Sequence, residues 1–222
     1  NEVHAMEPEA LQLGFLKVLK GSFMHENKEE YGIQYRNKPP YEVLLTKEIN
    51  YDEILILKAV EDMVDVYYNS NHFIASLKYL LRFFKGPYDF YYAMANYYEK
   101  HALNDMNHSR FARYNILRDF AKDIVDINLE FVDNALIFDL CCVEKMRKRP
   151  EWSQENDQDR VLIKEIQKSI TDYNFFQIER FAYDILGFIQ TGDIKKEDNF
   201  VLFDYEHRDS IYNHGQIIKV SN

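Results

Sequence analysis

The segment YDEILILKAVEDMVDVYY, residues 51–68, sets the fold class of this chain. Its apolar residues recur at the spacing of one face of an α-helix. They include Leu57, Val60, Val64 and Tyr67. Asn50 lies just before the segment and Glu53 follows it three residues later, which is the pattern of a capping box at a helix start. The sequence therefore predicts a helix that begins after Asn50.

Similar patterns predict that most of the chain is helical. Further helices are predicted at residues 72–85, 87–103, 109–124, 129–143 and 160–173. Gly86 is expected to end one helix, and Pro87 suits the first turn of the next. The polar stretch 150–159 is predicted to be a linker.

The two ends of the chain have other patterns. LQLGFLKVLKGSFM, residues 11–24, starts with a continuous apolar run that is typical of a strand buried on both faces. Residues 25–49 are predicted to be an extended traverse after one short helix, because the proline pair at 39–40 excludes a helix. Three alternating runs within about residues 175–220 predict a small antiparallel sheet.

Composition and charge exclude some classes of function. The 222 residues carry a net charge of -10, which disfavours nucleic acid as the main partner. KMRKR, residues 145–149, is the local exception, and we favour a basic helix C-terminus over a phosphate site there. No run approaches the ~20 apolar residues of a membrane span, so no membrane contact and a cytoplasmic location are expected. The only cysteines, Cys141 and Cys142, are adjacent, as expected for inert residues in a reducing compartment.

The sequence contains no GxSxG, HExxH, CxxC or GxGxxG motif. His101, Asp105 and His108 have side chains that can bind a divalent metal, although a polar loop between helices is the favoured interpretation. The chain also has 17 Tyr and 16 Phe residues, with Tyr pairs at 67–68, 91–92 and 97–98. We favour core packing for these pairs over the lining of a pocket or of an interface with another domain.

FDYEHRD, residues 203–209, follows a predicted strand and is a second candidate site. Either Asp204 or Asp209 could orient His207, and Arg208 could hold a carboxylate with two hydrogen bonds. The alternative is a charged hairpin end whose ion pairs contribute little, and we favour that alternative on the residues alone.

Four segments occur in an order that resembles a known family. They are LQLGFLKVLKGSFM, YGIQYRNKPPYEVL, VEDMVDVYYNSNHF and VLFDYEHRD. From Leu11 to Val220, the chain resembles the C-terminal helical domain of unknown function of cobalamin-binding-domain radical S-adenosylmethionine proteins. Members of that family are often labelled as anaerobic magnesium-protoporphyrin IX monomethyl ester oxidative cyclases or as methyltransferases.

The resemblance implies a parent enzyme with an iron–sulfur cluster and S-adenosylmethionine, and cobalamin is a further candidate cofactor. The family's cluster motif, CxxxCxxC, does not occur in this chain. The resemblance therefore implies an accessory domain with no catalytic residue, cofactor or metal of its own. Its implied partners are the N-terminal cobalamin-binding domain and the radical S-adenosylmethionine barrel.

The resemblance also divides the chain. Residues 1–24 would be a remnant of the last part of the barrel, including its strand. Residues 25–49 would be the extended traverse, and residues 50–222 the helical accessory domain with its small sheet. The fold class expected is thus mainly α, with a multi-helix body between a strand remnant and a C-terminal antiparallel sheet.

Two sets of site residues follow from this division. Gly21 and Ser22 would lie just past the strand end, where parallel sheets bind ligands, and could contact a cofactor through their backbone in the full-length protein. Asp204, His207 and Arg208 would face substrate or another domain. The alternatives are a helical protein-interaction module and a stand-alone metal-dependent enzyme.

Overall fold

A computed structural model describes residues 1–104, 106–153 and 157–220. The chain forms two compact units. The first unit consists of Asn1–Asn69 and Gly86–Asn104. The second consists of Ser70–Lys85 and the described part of Asp105–Asn222. The domain boundaries that the resemblance implies, at residues 24 and 49, stay a prediction.

The predicted fold class, mainly α with a small C-terminal sheet, is confirmed. The helices within the described residues are α1 (Glu2–Ala5), α2 (Phe23–Glu26), α3 (Tyr51–Val64), α4 (Ile74–Leu80), α5 (Pro87–Lys100), α6 (Arg110–Ala121), α7 (Leu129–Val143), α8 (Asp157–Ser169) and α9 (Ile185–Thr191). The strands are β1 (Gln34–Tyr35), β2 (Val43–Leu45), β3 (Phe176–Tyr183), β4 (Lys196–Arg208) and β5 (Gly215–Val220). A π-helical turn, Asp65–Asn69, continues α3, and a 3₁₀ turn, Leu81–Phe83, continues α4.

In the first unit, α3 packs against α5 and both helices begin as predicted. Asn50 Oδ1 accepts a hydrogen bond from the Glu53 backbone N–H at 3.0 Å, and Glu53 Oε2 accepts one from the Asn50 N–H at 2.8 Å. This reciprocal pair is the predicted capping box. Pro87 occupies the first turn of α5, where its missing N–H costs nothing.

The N-terminal apolar segment differs from the predicted strand. Residues 11–19 form one isolated antiparallel bridge, between Lys17 and Glu42. Only Val18 in this segment is buried, and its N–H donates to the Tyr41 carbonyl at 2.8 Å. An apolar run becomes a strand buried on both faces only when strands flank it and helices cover it. Within this unit the segment bridges to the edge of the short β1–β2 hairpin of the predicted traverse and packs against Ile54 of α3.

The second unit is built around α7. Eleven of the fifteen residues of α7 are buried, and the helix is buried on all sides from Ala135 onward, which is typical of a central helix. Helices α4, α6 and α9 and strands β3 and β5 pack against it. The buried surface of α7 is therefore wider than a single apolar stripe.

The C-terminal sheet has the order β3-β4-β5 and is antiparallel throughout. Helix α8 packs on β3, and Ile163, Ile178 and Leu202 are buried between them. A short helix, α9, replaces the turn predicted between β3 and β4. Gly187 donates its N–H to Asp184 Oδ1 at 3.2 Å at the start of α9. Gly192, at a φ of 83°, ends the helix in the left-handed region that glycine favours.

Candidate functional site

At the C-terminal end of β4, the predicted residues Asp204 and His207 form a hydrogen-bonded pair. Asp204 is fully buried, at 0% exposure, whereas 69% of the His207 side chain is exposed. His207 Nδ1 donates to Asp204 Oδ2 over 2.5 Å. Asp204 Oδ1 accepts the Glu206 backbone N–H at 2.9 Å. Asp204, and not Asp209, is therefore the carboxylate that orients the imidazole.

The charges of this pair support one another. Burial raises the pKa of Asp204, but hydrogen bonds from His207 and from the Glu206 N–H outweigh burial and lower the pKa below its ordinary value. The hydrogen bond to Asp204 raises the pKa of His207. Because Asp204 holds Nδ1, Nε2 of His207 is the nitrogen that remains to bind a ligand or exchange a proton.

Arg208 is used within the fold. Its Nη1 donates to the Val143 carbonyl at 3.0 Å and to the Asn213 carbonyl at 2.5 Å. Its guanidinium also lies over the Tyr205 ring, 5.4 Å from the ring centroid. Arg208 thus holds the end of α7 and the turn after β4. The imidazole of His207 is the exposed group of this site.

The turn after β4 places a second histidine beside the site. Asp209 accepts the backbone N–H groups of Ile211, Tyr212 and His214, at 3.0, 2.6 and 2.8 Å. His214 is 8% exposed, and its Nε2 has no hydrogen-bond partner among the described residues. The sequence did not identify His214, because nothing in a short polar stretch distinguishes a buried histidine from an exposed one.

His72 is a further half-buried histidine of the same unit. Burial lowers its pKa to about 4, and the nearby charges of Arg110, His214 and Arg113 lower it as well. Burial also lowers the pKa of His214. Both imidazoles are therefore neutral near pH 7, and the sequence contained no signal for either effect.

Asp139 is the buried acid of α7, and the sequence patterns did not identify it either. It is 2% exposed and accepts three hydrogen bonds from the start of α4. The donors are the Ala75 N–H at 2.8 Å, the Ser76 N–H at 2.9 Å and the Ser76 hydroxyl at 2.6 Å. Burial raises the pKa of Asp139 to about 7 in spite of these donors. A single acid within the apolar run of residues 135–143 is the signal that could have identified it.

Gly21 and Ser22 form an ordinary helix start. Gly21 has a φ of 83°, and the Ser22 hydroxyl accepts the His25 backbone N–H at 3.3 Å at the N-terminus of α2. The Gly21 N–H donates to His25 Nδ1 at 3.4 Å. The predicted backbone contact with a cofactor stays a prediction.

The proposed metal ligands are not all covered by the structure, since Asp105 lies outside the described residues. His101 ends α5 and is exposed, and its ring lies 4.2 Å from that of Tyr97. Across residues 1–104, 106–153 and 157–220, no three His, Cys, Asp or Glu side chains are grouped so that they could hold a metal ion.

Each tyrosine pair places one ring in the core and one ring nearer the surface. Tyr67, Tyr91 and Tyr98 are buried, while their neighbours Tyr68, Tyr92 and Tyr97 are more exposed. The Tyr67 and Tyr98 hydroxyls lie 2.8 Å apart, so each buried polar group has a partner. Core packing explains the buried members.

A cavity of about 270 Å³ lies among α7, α8 and β3. Its lining includes Arg149, which pairs with the buried Glu179. It also includes Arg180, which pairs with Asp159 at 2.7 Å. The two arginines that line this cavity are therefore paired with acids of the same lining, as in a structural network.

Comparison with known families places the chain in one of them. Residues 29–203 match the family described as protein of unknown function (DUF4080), and because this match covers most of the chain, the chain belongs to that family. No curated protein matches the chain. Among the described residues, no helix has the length and the apolar character that a bilayer span requires.

Proposed function

We propose that this chain is the C-terminal helical accessory domain of a radical S-adenosylmethionine enzyme of the cyclase- or methyltransferase-like kind. In this role it shapes or caps the substrate site and catalyses no reaction by itself. The resemblance of four segments between Leu11 and Val220 supports the proposal. The implied partners are the barrel and the cobalamin-binding domain of the parent protein, and cobalamin is a candidate cofactor there.

The observation that carries the proposal is an apolar groove in the first unit. The groove has a volume of about 440 Å³ and runs beside residues 13–16. Its apolar lining is formed by Leu13, Phe15, Leu16, Val43, Ile49, Ile54 and Leu57. Residues 11–20 form a single bridge within the described part of the chain, so a neighbouring strand can still pair with them. An open groove beside an incompletely paired extended segment suits the docking of another domain.

The residues of this chain do not fit an iron–sulfur cluster. Such a cluster is held by several cysteine thiolates that converge on one point. Cys141 and Cys142 are adjacent in α7 and both are buried, and burial raises the pKa of the Cys142 thiol. We therefore assign the cluster to the barrel of the parent protein and derive no chemical step through it here.

His207 is the side chain that we assign to substrate or interdomain contact. Its exposed imidazole is held in one orientation by the buried Asp204. A positioned imidazole can donate a hydrogen bond or a proton to a bound molecule. Under the proposal it contributes to substrate recognition, while radical formation occurs elsewhere in the parent enzyme.

The gene that encodes this chain gives the first test. We expect a CxxxCxxC segment to be encoded upstream of Asn1 in the same reading frame. A reading frame that starts at or near Asn1 contradicts the proposal directly.

The second test uses the full-length parent, expressed anaerobically with a reconstituted cluster. Leu13→Asp introduces a charge into the groove, and we expect it to abolish substrate turnover while cleavage of S-adenosylmethionine to 5′-deoxyadenosine continues. Leu55→Asp is the matched control, because Leu55 is 47% exposed on α3. Equal losses of turnover in both variants, or loss of cleavage in Leu13→Asp alone, would count against an accessory role.

A second candidate function is a protein-interaction module, and one observation favours it. Tyr88 and Tyr92 stack at the start of α5 with 6.0 Å between ring centroids, and they are 42% and 37% exposed. Exposed aromatic rings are frequent in interface centres. A partner protein that binds the wild type and Tyr51→Ser, but not a Tyr88→Ser, Tyr92→Ser double variant, would support this function. Equal binding to the double variant would exclude it.

A further inference from the structure

The loop that follows α7 carries cations that form no ion pair within the described residues. We call residues 144–148 the basic loop. The basic cluster was predicted to serve the C-terminal end of the helix dipole. In the structure Arg208, from β4, donates to the last carbonyl of α7, that of Val143, at 3.0 Å. The last carbonyl of α7 is therefore bound from another element, and the helix-dipole role of the cluster stays a prediction.

The three cations of the basic loop are Lys145, Arg147 and Lys148, and all three are exposed. Within the described ranges, the side chains of Arg147 and Lys148 form no ion pair or hydrogen bond. Lys145 Nζ lies over the Phe175 ring, 5.1 Å from its centroid. In a chain with a net charge of -10, three neighbouring cations without a carboxylate partner form a local positive field.

The basic loop lines one side of a cavity with an apolar floor. The cavity has a volume of about 490 Å³, which lies within the range of small-molecule pockets. Phe111 of α6, Leu140 of α7 and Met146 of the basic loop supply its apolar surface. Glu144 is the one acid in its lining, and Arg110 pairs with it at 3.2 Å. The free charge at the rim is therefore positive.

The basic loop is held in place at both ends. The Glu144 N–H donates to the Leu140 carbonyl at 3.1 Å. The Met146 N–H donates to Gln177 Oε1 on β3 at 2.7 Å. Arg149, just after the loop, pairs with the buried Glu179. Fixed flanks lower the entropy that the three cations lose when they bind a ligand.

We propose that this cavity binds a small organic anion, with an apolar body on Phe111, Leu140 and Met146 and an oxyanion between the cations of the basic loop. Arginine and lysine bind phosphate and carboxylate through charge-assisted hydrogen bonds. The apolar floor selects against free inorganic anions, because they have no apolar surface that could be buried there. This site lies within the second unit and does not depend on the accessory role proposed above.

The test is isothermal titration calorimetry of the whole chain with matched probes. The two probes are 2-naphthyl phosphate and 2-naphthoate, which share an apolar body and differ in their oxyanion. The controls are 2-naphthol, which has no charge, and inorganic phosphate, which has no apolar body. We expect saturable 1:1 binding of at least one probe, at least about tenfold tighter than that of either control. The preferred probe identifies the oxyanion.

Two double variants locate the site. Arg147→Gln with Lys148→Gln removes two cations from the rim, and we expect about tenfold weaker probe binding. Lys164→Gln with Lys168→Gln removes the same charge from exposed positions of α8, and we expect less than about a twofold change there. Urea unfolding of both variants verifies that neither has lost its fold.

Three results would overturn the proposal. One is the absence of saturable binding of both probes to the wild-type chain. Another is binding of 2-naphthol as tight as that of 2-naphthyl phosphate, which would indicate apolar adsorption alone. The third is an equal loss of affinity in the two double variants, which would show that net charge and not the basic loop attracts the probe.

Discussion

Asp139 and Asp204 are both buried carboxylates of the second unit, yet their environments have opposite consequences. Asp139 is 2% exposed and meets only neutral donors, the Ala75 N–H and the N–H and hydroxyl of Ser76. Burial raises its pKa to about 7. Asp204 is 0% exposed and meets an imidazole, that of His207. Burial raises its pKa too, but hydrogen bonds from His207 and the Glu206 N–H lower it overall.

The difference shows that burial alone does not decide the protonation state of an acid. Asp139 accepts donors at the N-terminus of α4, whose N-cap residue, Phe73, has no side chain that can cap it. Asp139 therefore caps α4 in place of a neighbouring residue and has a structural role. Asp204 binds the exposed imidazole of His207 through a hydrogen bond. It therefore orients a side chain that is accessible to a ligand.

The largest effect is expected when the buried cap is removed. Asp139→Ala leaves the Ala75 and Ser76 N–H groups without an acceptor and opens a cavity in the core. We expect the free energy of unfolding to fall by about 3–4 kcal/mol. Urea unfolding monitored by circular dichroism measures it.

The matched control for this change is Asp119→Ala, because Asp119 forms an exposed ion pair with Lys122 on α6. Its loss should cost less than about 0.5 kcal/mol. A similar loss in both variants would mean that Asp139 has no special structural role.

The second effect is a change of stability with pH that the titration of Asp139 causes. Its folded-state pKa, about 7, lies above the unfolded value, so the folded state binds more protons between these values. The contribution of Asp139 to stability is therefore fully present below its unfolded pKa and is lost as pH rises to its folded pKa, by roughly 3 kcal/mol between pH 5 and pH 8.

Urea unfolding of the wild type and of Asp139→Asn from pH 5 to pH 8 isolates this contribution. His72 acts in the opposite direction, because burial lowers its pKa to about 4 and stability is lost as pH falls below its unfolded value. Since His72 is present in both proteins, its effect cancels in the difference. A difference that does not change with pH would contradict the role of Asp139.

The third effect concerns the partner of Asp204. Asp204→Asn removes the carboxylate that raises the pKa of His207, so the imidazole should titrate at a lower pH. We expect the midpoint of the His207 ring protons, followed by NMR, to fall towards the value of an unpaired histidine. The exposed Asp123→Asn is the control and should leave the midpoint in place. An unchanged midpoint in Asp204→Asn would show that the pair does not form.

The smallest effect is expected for Ser76→Ala, which removes one of the three donors to Asp139. The two backbone N–H groups remain, so the loss should be about 1 kcal/mol. Urea unfolding of this variant beside Asp139→Ala measures both. A loss as large as that of Asp139→Ala would indicate that the hydroxyl, and not the helix N-terminus, is the main partner.

Local patterns predicted much of the fold. The capping box of Asn50 and Glu53 and the proline at the first turn of α5 lie within a few residues of the features they control. The three strands of the C-terminal sheet follow from alternation and flanking turns. Helix α9 was missed because its seven residues offer too short a periodic pattern and include Gly187.

The candidate site was predictable only in part. The crowding of three acids around one histidine in FDYEHRD identified Asp204 and His207 as neighbours in sequence. Which acid orients the imidazole depends on burial, since Asp204 lies inside the sheet and Asp209 binds the turn. The sequence also did not show that residues 145–148 line a cavity. Part of the cavity floor is Phe111 of α6, which is distant from these residues in sequence.

The sequence by itself determined the mainly α class, most helix starts and the small sheet, because capping and periodicity are local. Tertiary structure decided that Asp139 caps α4, since 63 residues separate it from Ser76. It also decided that the apolar run at residues 11–19 forms one bridge in place of a strand. The physical reason is the same in both cases. Burial and pairing depend on what other segments bring to a residue, and no short pattern contains that information.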